Sequence, residues 1–301
     1  MKTNYYVRSP FNYIGNKFRI LDQIIPFFDE HQIFVDVFGG SGVVGVNVKN
    51  RQIIYNEIDH YVVKTMKYLY QNPFGKVDKK INSLVKNYDL IIDKKPQDLP
   101  ILNQVGFNRL KDDFNQEKIK KKDSIPSFIG LIMFGFNSQI RYNSQGKFNI
   151  PVGKSGYTQF RRNNLEMFMK KFQEKEVVIY NSHYKNLVEK LTNNYQDNKD
   201  YFFYFDPPYL LSDAPYNSGW NISEEQEFIK VLENLLKSNY QFGINNFLRK
   251  NDVVNQELQN FLKEHAEEIE VHLMNSSYQS SNYHRHQDTN LEEIYVQTRR
   301  K

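Results

Sequence analysis

Apolar positions along this chain follow two rhythms, and the place where they change divides it. Short apolar runs bounded by polar or turn residues read as buried strands at Ile33–Val37, Gln52–Asn56, Val177–Tyr180, Tyr201–Phe205, Tyr240–Ile244, Ile269–Met274 and Leu291–Val296. Helical spacing alternates with them. Phe18, Leu21, Ile24 and Ile25 predict a helix from Lys17 that Pro26 ends or kinks, and further helices are predicted at Asp59–Tyr70, Ser182–Leu191, Ile222–Lys237 and Asp252–Lys263. Ser223 reads as the N-cap of the fourth of these, with Gln226 in the capping-box position. From about Gln71 to Glu174 the alternation stops. Residues 76–122 read as polar, lysine-bearing helical pieces, Ser127–Phe136 as a buried helix, and Arg161–Phe172 as a helix with Leu165, Phe168 and Phe172 as its apolar contacts. Between them, Ser144-Gln145-Gly146 is a turn flanked by short strand-like runs, which predicts a hairpin within Asn137–Lys154. The pattern is that of an α/β doubly wound sheet interrupted by one long insert.

Three predicted strands end in residues that carry chemistry. The first runs from Asp36 into Phe38-Gly39-Gly40-Ser41-Gly42. Strand, glycine loop and helix is the layout of nucleotide-type sites in such sheets, although neither the dinucleotide fingerprint nor a P-loop is present. The second ends at Glu57-Ile58-Asp59. An acid there can accept from ribose hydroxyls. Glu57 is placed for that and Asp59 for capping the next helix, while the structural alternative is that both cap. The third, five aromatic residues in a row, stops at Asp206-Pro207-Pro208-Tyr209. The prolines stiffen the strand end and hold Asp206 extended. One carboxylate, forward-facing carbonyls and one ring suit an amino group on a planar ring; a proline turn with a capping Asp is the plain alternative. The turn Gly15-Asn16 would present Tyr13 and Lys17 to the same ligand.

Composition removes several chemistries. The 301 residues contain no cysteine, which excludes disulfides, thiolate metal sites and a cysteine nucleophile. No apolar run approaches a membrane span and Met1–Arg8 lacks a signal-peptide core, so the expected location is the cytoplasm. The net charge of +5 is modest, but Asn137–Phe172 holds seven Lys or Arg against the single acid Glu166. That excess, in and around the hairpin, suits a phosphate backbone; a solvated basic face is the alternative. Arg, Asn, Gln, Lys and Tyr side chains of the hairpin can read base edges. His284 and His286, in a polar stretch from Asn275, have no Cys or paired acid to complete a metal site, and no metal is expected.

Taken together, a ribose-bearing cofactor beside an acceptor for a ring amino group, under a basic lid, indicates group transfer to a nucleobase. Inside a duplex such an amino group is paired, so the base must be flipped out. The chain resembles the Dam-type, alpha-group DNA adenine N6-methyltransferases in Pro10–Lys17, Phe34–Gly42, Asn56–Asp59 and Asp206–Tyr209, and in the hairpin through Arg141-Tyr142-Asn143, Gly146, Phe148-Asn149, Pro151 and Gly153. It carries Tyr13 where relatives often have Trp, Glu57 where they often have Asp, and Ser41 where they often have Ala.

The resemblance implies a Rossmann-like seven-stranded methyltransferase sheet, formed by residues 1–58 and 175–301, with a helical target-recognition insert of residues 59–174 carrying the β-hairpin. It implies S-adenosylmethionine as donor, bound by Tyr13, Lys17, Asp36, Phe38, Gly39, Gly40, Ser41, Gly42, Glu57 and Asp206. Catalysis would fall to Asp206, Pro207, Pro208 and Tyr209. Duplex DNA would be held through Arg141, Tyr142, Asn143, Lys147, Asn149 and Lys154, with GATC as the first recognition site to try. A restriction endonuclease would be a functional partner, and the protein itself a monomer or weak dimer. An RNA methyltransferase and a catalytically silent nucleic-acid binder on the same fold are the rival readings.

Overall fold

The computed structural model describes residues 6–13, 15–30, 32–92, 94–193, 200–212, 219–275 and 291–299. Its strands are β1 (Ile33–Asp36), β2 (Gln52–Asn56), β3 (Glu176–Tyr180), β4 (Tyr201–Phe205), β5 (Gln241–Lys250), β6 (Val253–Val254), β7 (Ile269–Leu273) and β8 (Leu291–Thr298). Seven of them form one sheet in the order β3-β2-β1-β4-β5-β8-β7, with the two-residue β6 paired to β5 beside that path. Strands β1 to β5 run parallel, and β8 lies antiparallel between β5 and β7. This is the expected Rossmann-like sheet with a reversed strand next to its far edge.

The described residues also form the α-helices α1 (Leu21–Ile24), α2 (Val43–Asn47), α3 (His60–Gln71), α4 (Phe74–Asn87), α5 (Leu99–Asn115), α6 (Lys121–Phe134), α7 (Gln159–Gln173), α8 (Tyr184–Asn193), α9 (Ile222–Lys237) and α10 (Gln256–Glu264). Alternation along each strand divides the core in two. Phe34, Ile53, Tyr55, Phe202 and Tyr204 face one side, and Val35, Ile54, Phe203 and Phe205 the other. The second face is covered by α8, α9 and α10. The first continues without a break into the insert, so that Met66, Val77, Phe107, Phe128, Ile132 and Phe168 belong to the same cluster as Phe34 and Tyr204. The core of the insert's helices is therefore continuous with that of the sheet.

Several element ends differ from the sequence reading, each for a local reason. The helix after Asn221 is capped by Asn221 itself, whose side chain accepts from the Glu224 amide at 3.0 Å, so the capping residue lies two positions before Ser223. The helix expected from Asp252 starts at Gln256 behind an Asn255 cap, because Val253–Val254 fold back onto β5. The first predicted helix is broken into 3-10 turns on both sides of α1, and the hairpin is held by isolated bridges, Tyr142 with Phe148 and Gly135 with Val152. The stretch carrying His284 and His286 lies outside the described residues.

Candidate active site

The chain leaves β1 for β2 and β3 on one side and returns through β4 on the other, so the topological switch point lies between β1 and β4. Ligands of doubly wound sheets bind at the carboxyl ends of the strands there. Asp36 ends β1, Glu57 follows β2, and Asp206 follows β4.

The glycine loop is shaped by its neighbours. The Tyr55 ring lies against Gly39, where an added Cβ would stand 2.2 Å from a ring carbon, and the Tyr55 hydroxyl donates to the Gly40 carbonyl at 2.6 Å. The Gly39 amide donates to the Asn56 carbonyl at 2.7 Å. Gly40 and Gly42 take φ of +50° and +71°, a region costly for other residues. Glu57, 6% exposed, receives the Gly40 amide on one oxygen and the Asp59 amide on the other, both at 2.9 Å. Asp59 caps α3, accepting from the Tyr61 and Val62 amides at 2.8 and 3.2 Å. The two acids thus divide the work: Glu57 braces the loop, and Asp59 caps. Asp36 accepts from the Gly45 amide at 3.2 Å. Burial pushes both Asp36 and Glu57 up to about 7, the backbone hydrogen bonds opposing it.

Asp206 stands at the end of the aromatic strand with 19% of its side chain exposed. Its Oδ1 takes the Lys17 ammonium at 2.7 Å and the Tyr209 hydroxyl at 3.0 Å. Among the described residues no hydrogen bond reaches Oδ2. Burial raises the Asp206 pKa above the ordinary carboxylate value, and the Lys17 charge pulls it back. Lys17, 2% exposed, also donates to the Gly15 carbonyl at 2.7 Å and lies 4.8 Å from the centre of the Tyr209 ring. Tyr209 is buried, edge-on to Phe247 at 4.5 Å.

A model of the D12 class N6 adenine-specific DNA methyltransferase matches residues 13–294 of the chain. The chain belongs to that family. Among curated proteins, this D12-class chain is 29% identical to the Type II methyltransferase M.FokI of Planomicrobium okeanokoites over 94% of its length, and 26% identical to the modification methylase StsI of Streptococcus sanguinis over 93%. It spans only 41% of each of those two proteins. It is 23% identical to the DNA adenine methylase of Salmonella typhi, with 82% of each chain covered.

Within this family member, the expected donor-site residues lie at and beside the ends of β1, β2 and β4. Half-buried Tyr13 lies against Gly40, which leaves 3.2 Å between a Cβ there and the ring; Ser41 is fixed by Ser9 through its carbonyl at 2.8 Å and by Asn16 through its hydroxyl at 3.3 Å; Phe38 packs on Tyr184. Lys17, expected at the donor, is paired with Asp206, which is expected there too. Pro207 is buried and Pro208 half-buried. On the hairpin, Arg141, Asn143, Lys147, Asn149 and Lys154 are exposed. The Arg141 guanidinium donates twice to the Asn149 carbonyl across the hairpin, at 2.9 and 2.6 Å, and the Asn143 carboxamide accepts from the Gln145 and Lys147 amides at 3.0 Å. Tyr142 is turned inward, its ring stacked on Tyr61.

Two contributors escaped the sequence reading. Glu293 of β8, fully buried, accepts from the Tyr209 hydroxyl at 3.2 Å. Its signal was an acid in register with Tyr295 on the inner face of a strand. Asn56 donates to the carbonyls of Val37 and Ser182 at 3.0 Å and accepts from the Ser182 amide, which staples the ends of β1, β2 and β3 together.

Proposed function

We propose that the protein transfers the methyl group of S-adenosylmethionine to N6 of an adenine flipped out of duplex DNA. One observation carries most of this reading: Asp206, at the switch point, has one oxygen fixed by Lys17 and Tyr209 and no hydrogen bond on the other among the described residues. The cleft suits the donor. Each oxygen of Glu57 spends one lone pair on a backbone amide and keeps another for a ribose hydroxyl, and the glycines let the donor lie close to the backbone. When bound, the donor supplies an electrophilic methyl group on a sulfonium.

The chain's own part is positioning. Asp206 Oδ2 and the Pro207 carbonyl accept the two N–H bonds of the adenine amino group and aim its nitrogen along the line of transfer, with no covalent enzyme intermediate. Lys17 and Tyr209 keep the carboxylate from rotating. Stacking of the base on Tyr209, which is buried in the free protein, requires the ring to become accessible when the base enters.

Residues 59–174 serve as the target-recognition region in this reading, and residues 1–58 with 175–301 as the catalytic one. Arg141, Asn143, Lys147, Asn149 and Lys154 face the DNA, Arg141 reads a guanine, and GATC is the first sequence to try. The names of the relatives favour a modification role alongside a restriction endonuclease.

The test is single-molecule sequencing of unmethylated plasmid after incubation with the protein and S-adenosylmethionine, with Asp206→Ala as control. The expected result is N6-methyladenine in one short motif, absent in the control. Turnover retained by Asp206→Ala would sink the role given to Asp206. Unmodified duplex and single-stranded DNA would move the substrate to RNA or the protein to a silent binder.

A further inference from the structure

We propose that Tyr142 is a positioning residue whose hydroxyl ties the hairpin to the end of β2, so that DNA on the hairpin and donor in the cleft strengthen each other's binding. This rests on the function proposed above and adds to it a named connection between the two sites.

The connection can be followed atom by atom. Glu57 holds the Gly40 amide of the donor loop on Oε2 and the Asp59 amide on Oε1. Asp59 Oδ1 in turn accepts from the Tyr142 hydroxyl at 3.3 Å, besides capping α3. One residue, Ile58, separates the two acids. A shift of the hairpin stem therefore reaches the donor loop through two side chains and a single short turn.

The Tyr142 ring cannot swing freely. It is stacked on Tyr61 at 6.4 Å, meets Phe148 edge-on at 6.3 Å, and forms the bridge with Phe148 that closes the hairpin. Burial, with the Asp59 charge, keeps its hydroxyl protonated and so a donor at any working pH. Its neighbours Arg141 and Asn143, on either side of the residue that forms the bridge, are exposed. Alternation thus puts the residues that would read DNA and the residue that reaches the cleft on one rigid segment.

A second contact supports the same conclusion from the other wall of the cleft. Asn12, next to Tyr13, donates its side-chain amide to the Asn137 carbonyl at 2.8 Å and its backbone amide to the Ser138 carbonyl at 3.3 Å. Asn137 and Ser138 take φ of 51° and 53°, a region that side-chain-bearing residues hold only when their surroundings impose it. The hairpin is thus anchored at its entrance to the turn bearing Tyr13 and Lys17, and at its stem to the turn bearing Glu57.

Tyr142→Phe tests this, because it keeps the ring and removes only the hydroxyl. S-adenosylhomocysteine is titrated calorimetrically into wild type and variant, each alone and with a saturating duplex carrying the methylated motif. In wild type the duplex is expected to tighten binding at least about fivefold, the low end of ordinary coupling. In Tyr142→Phe the DNA-free affinity is expected to stay within about twofold of wild type, and the tightening by DNA to fall by more than half, because the hydroxyl is the connection. Full tightening in Tyr142→Phe, or none in wild type, overturns the proposal while plasmid methylation by wild type leaves the function standing. Weaker binding by the DNA-free variant makes Tyr142 an ordinary packing residue and also overturns it. Absence of methylation by wild type removes the function, and the proposal with it.

Discussion

Lys17 has more influence on the free site than its place at the start of a helix suggested. An ammonium only 2% exposed, 2.7 Å from Asp206, opposes the burial that raises the pKa of that carboxylate. Removing the charge leaves only the Tyr209 hydrogen bond to oppose the burial. Lys17→Met is therefore expected to move the acid limb of the kcat/KM–pH profile toward higher pH, which a profile on oligonucleotide duplex measures; an unmoved limb would separate Lys17 from the ionisation of Asp206. Glu57 makes a second pH prediction. In the ribose-binding role proposed for it, ionisation leaves both oxygens free to accept, and burial lifts its pKa to about 7, so donor affinity should rise as pH rises through about 7 and level off above it, with proton release visible in titrations in buffers of different ionisation enthalpy. Stability runs the other way. For Asp36 and Glu57 the folded pKa lies above the unfolded one, so their contribution is complete below about 4 and is lost as pH rises through about 7. The donor-free protein should melt at a lower temperature at pH 8 than at pH 5.5, and Asp36→Asn should flatten that dependence. Gly39 shows the steric side of the site. Its missing Cβ makes room for Tyr55, and Gly39→Ala should cost about 1–3 kcal/mol and weaken donor binding, as denaturant melts and calorimetry would report.

At the scale of elements, what was legible in the sequence followed from burial. Runs such as Tyr201–Phe205 and Ile53–Tyr55 are apolar on both faces because helices cover both sides of the sheet, and they could be read directly. The strand-end residues were legible because Gly, Pro and Asp have few uses at such positions. Contacts that depend on which distant segment arrives opposite were not. Nothing near Glu293 in sequence announces Tyr209, and nothing near Lys17 distinguishes a partner in Asp206 from one in the donor. The hairpin is the clearest example, since its turn was readable and its support was not. Asn115, at the end of α5, grips both the amide and the carbonyl of Phe148, at 2.9 and 3.0 Å. Asn115→Ala should loosen the hairpin by about 1–3 kcal/mol, seen as faster amide exchange at Tyr142–Asn149, with DNA affinity falling and donor affinity little changed. Arg141→Ala should differ in kind. It is expected to relax sequence preference at one base pair, whereas an equal loss for all sequences, with a shallower salt dependence, would make Arg141 a phosphate contact.

For the whole molecule, the shared core matters more than the division read along the chain. Phe34 and Tyr204 of the sheet and Phe107, Phe128 and Phe168 of the insert belong to one buried cluster. Calorimetric melting should accordingly give a single cooperative transition, and deletion of residues 59–174 should uncover part of that cluster and leave a protein that aggregates. The reversed strand β8 has a different consequence, one of timing during synthesis. It lies between β5 and β7 and carries Glu293 to Tyr209, yet it follows both in the chain. A nascent polypeptide can complete β1 to β5 and the glycine loop while β8 is still inside the ribosome, but β7 then has no neighbour to pair with and Tyr209 lacks its acidic partner. The cleft is thus assembled early and finished late, and a chain stalled before Leu291 would carry nearly all of the site without its final brace.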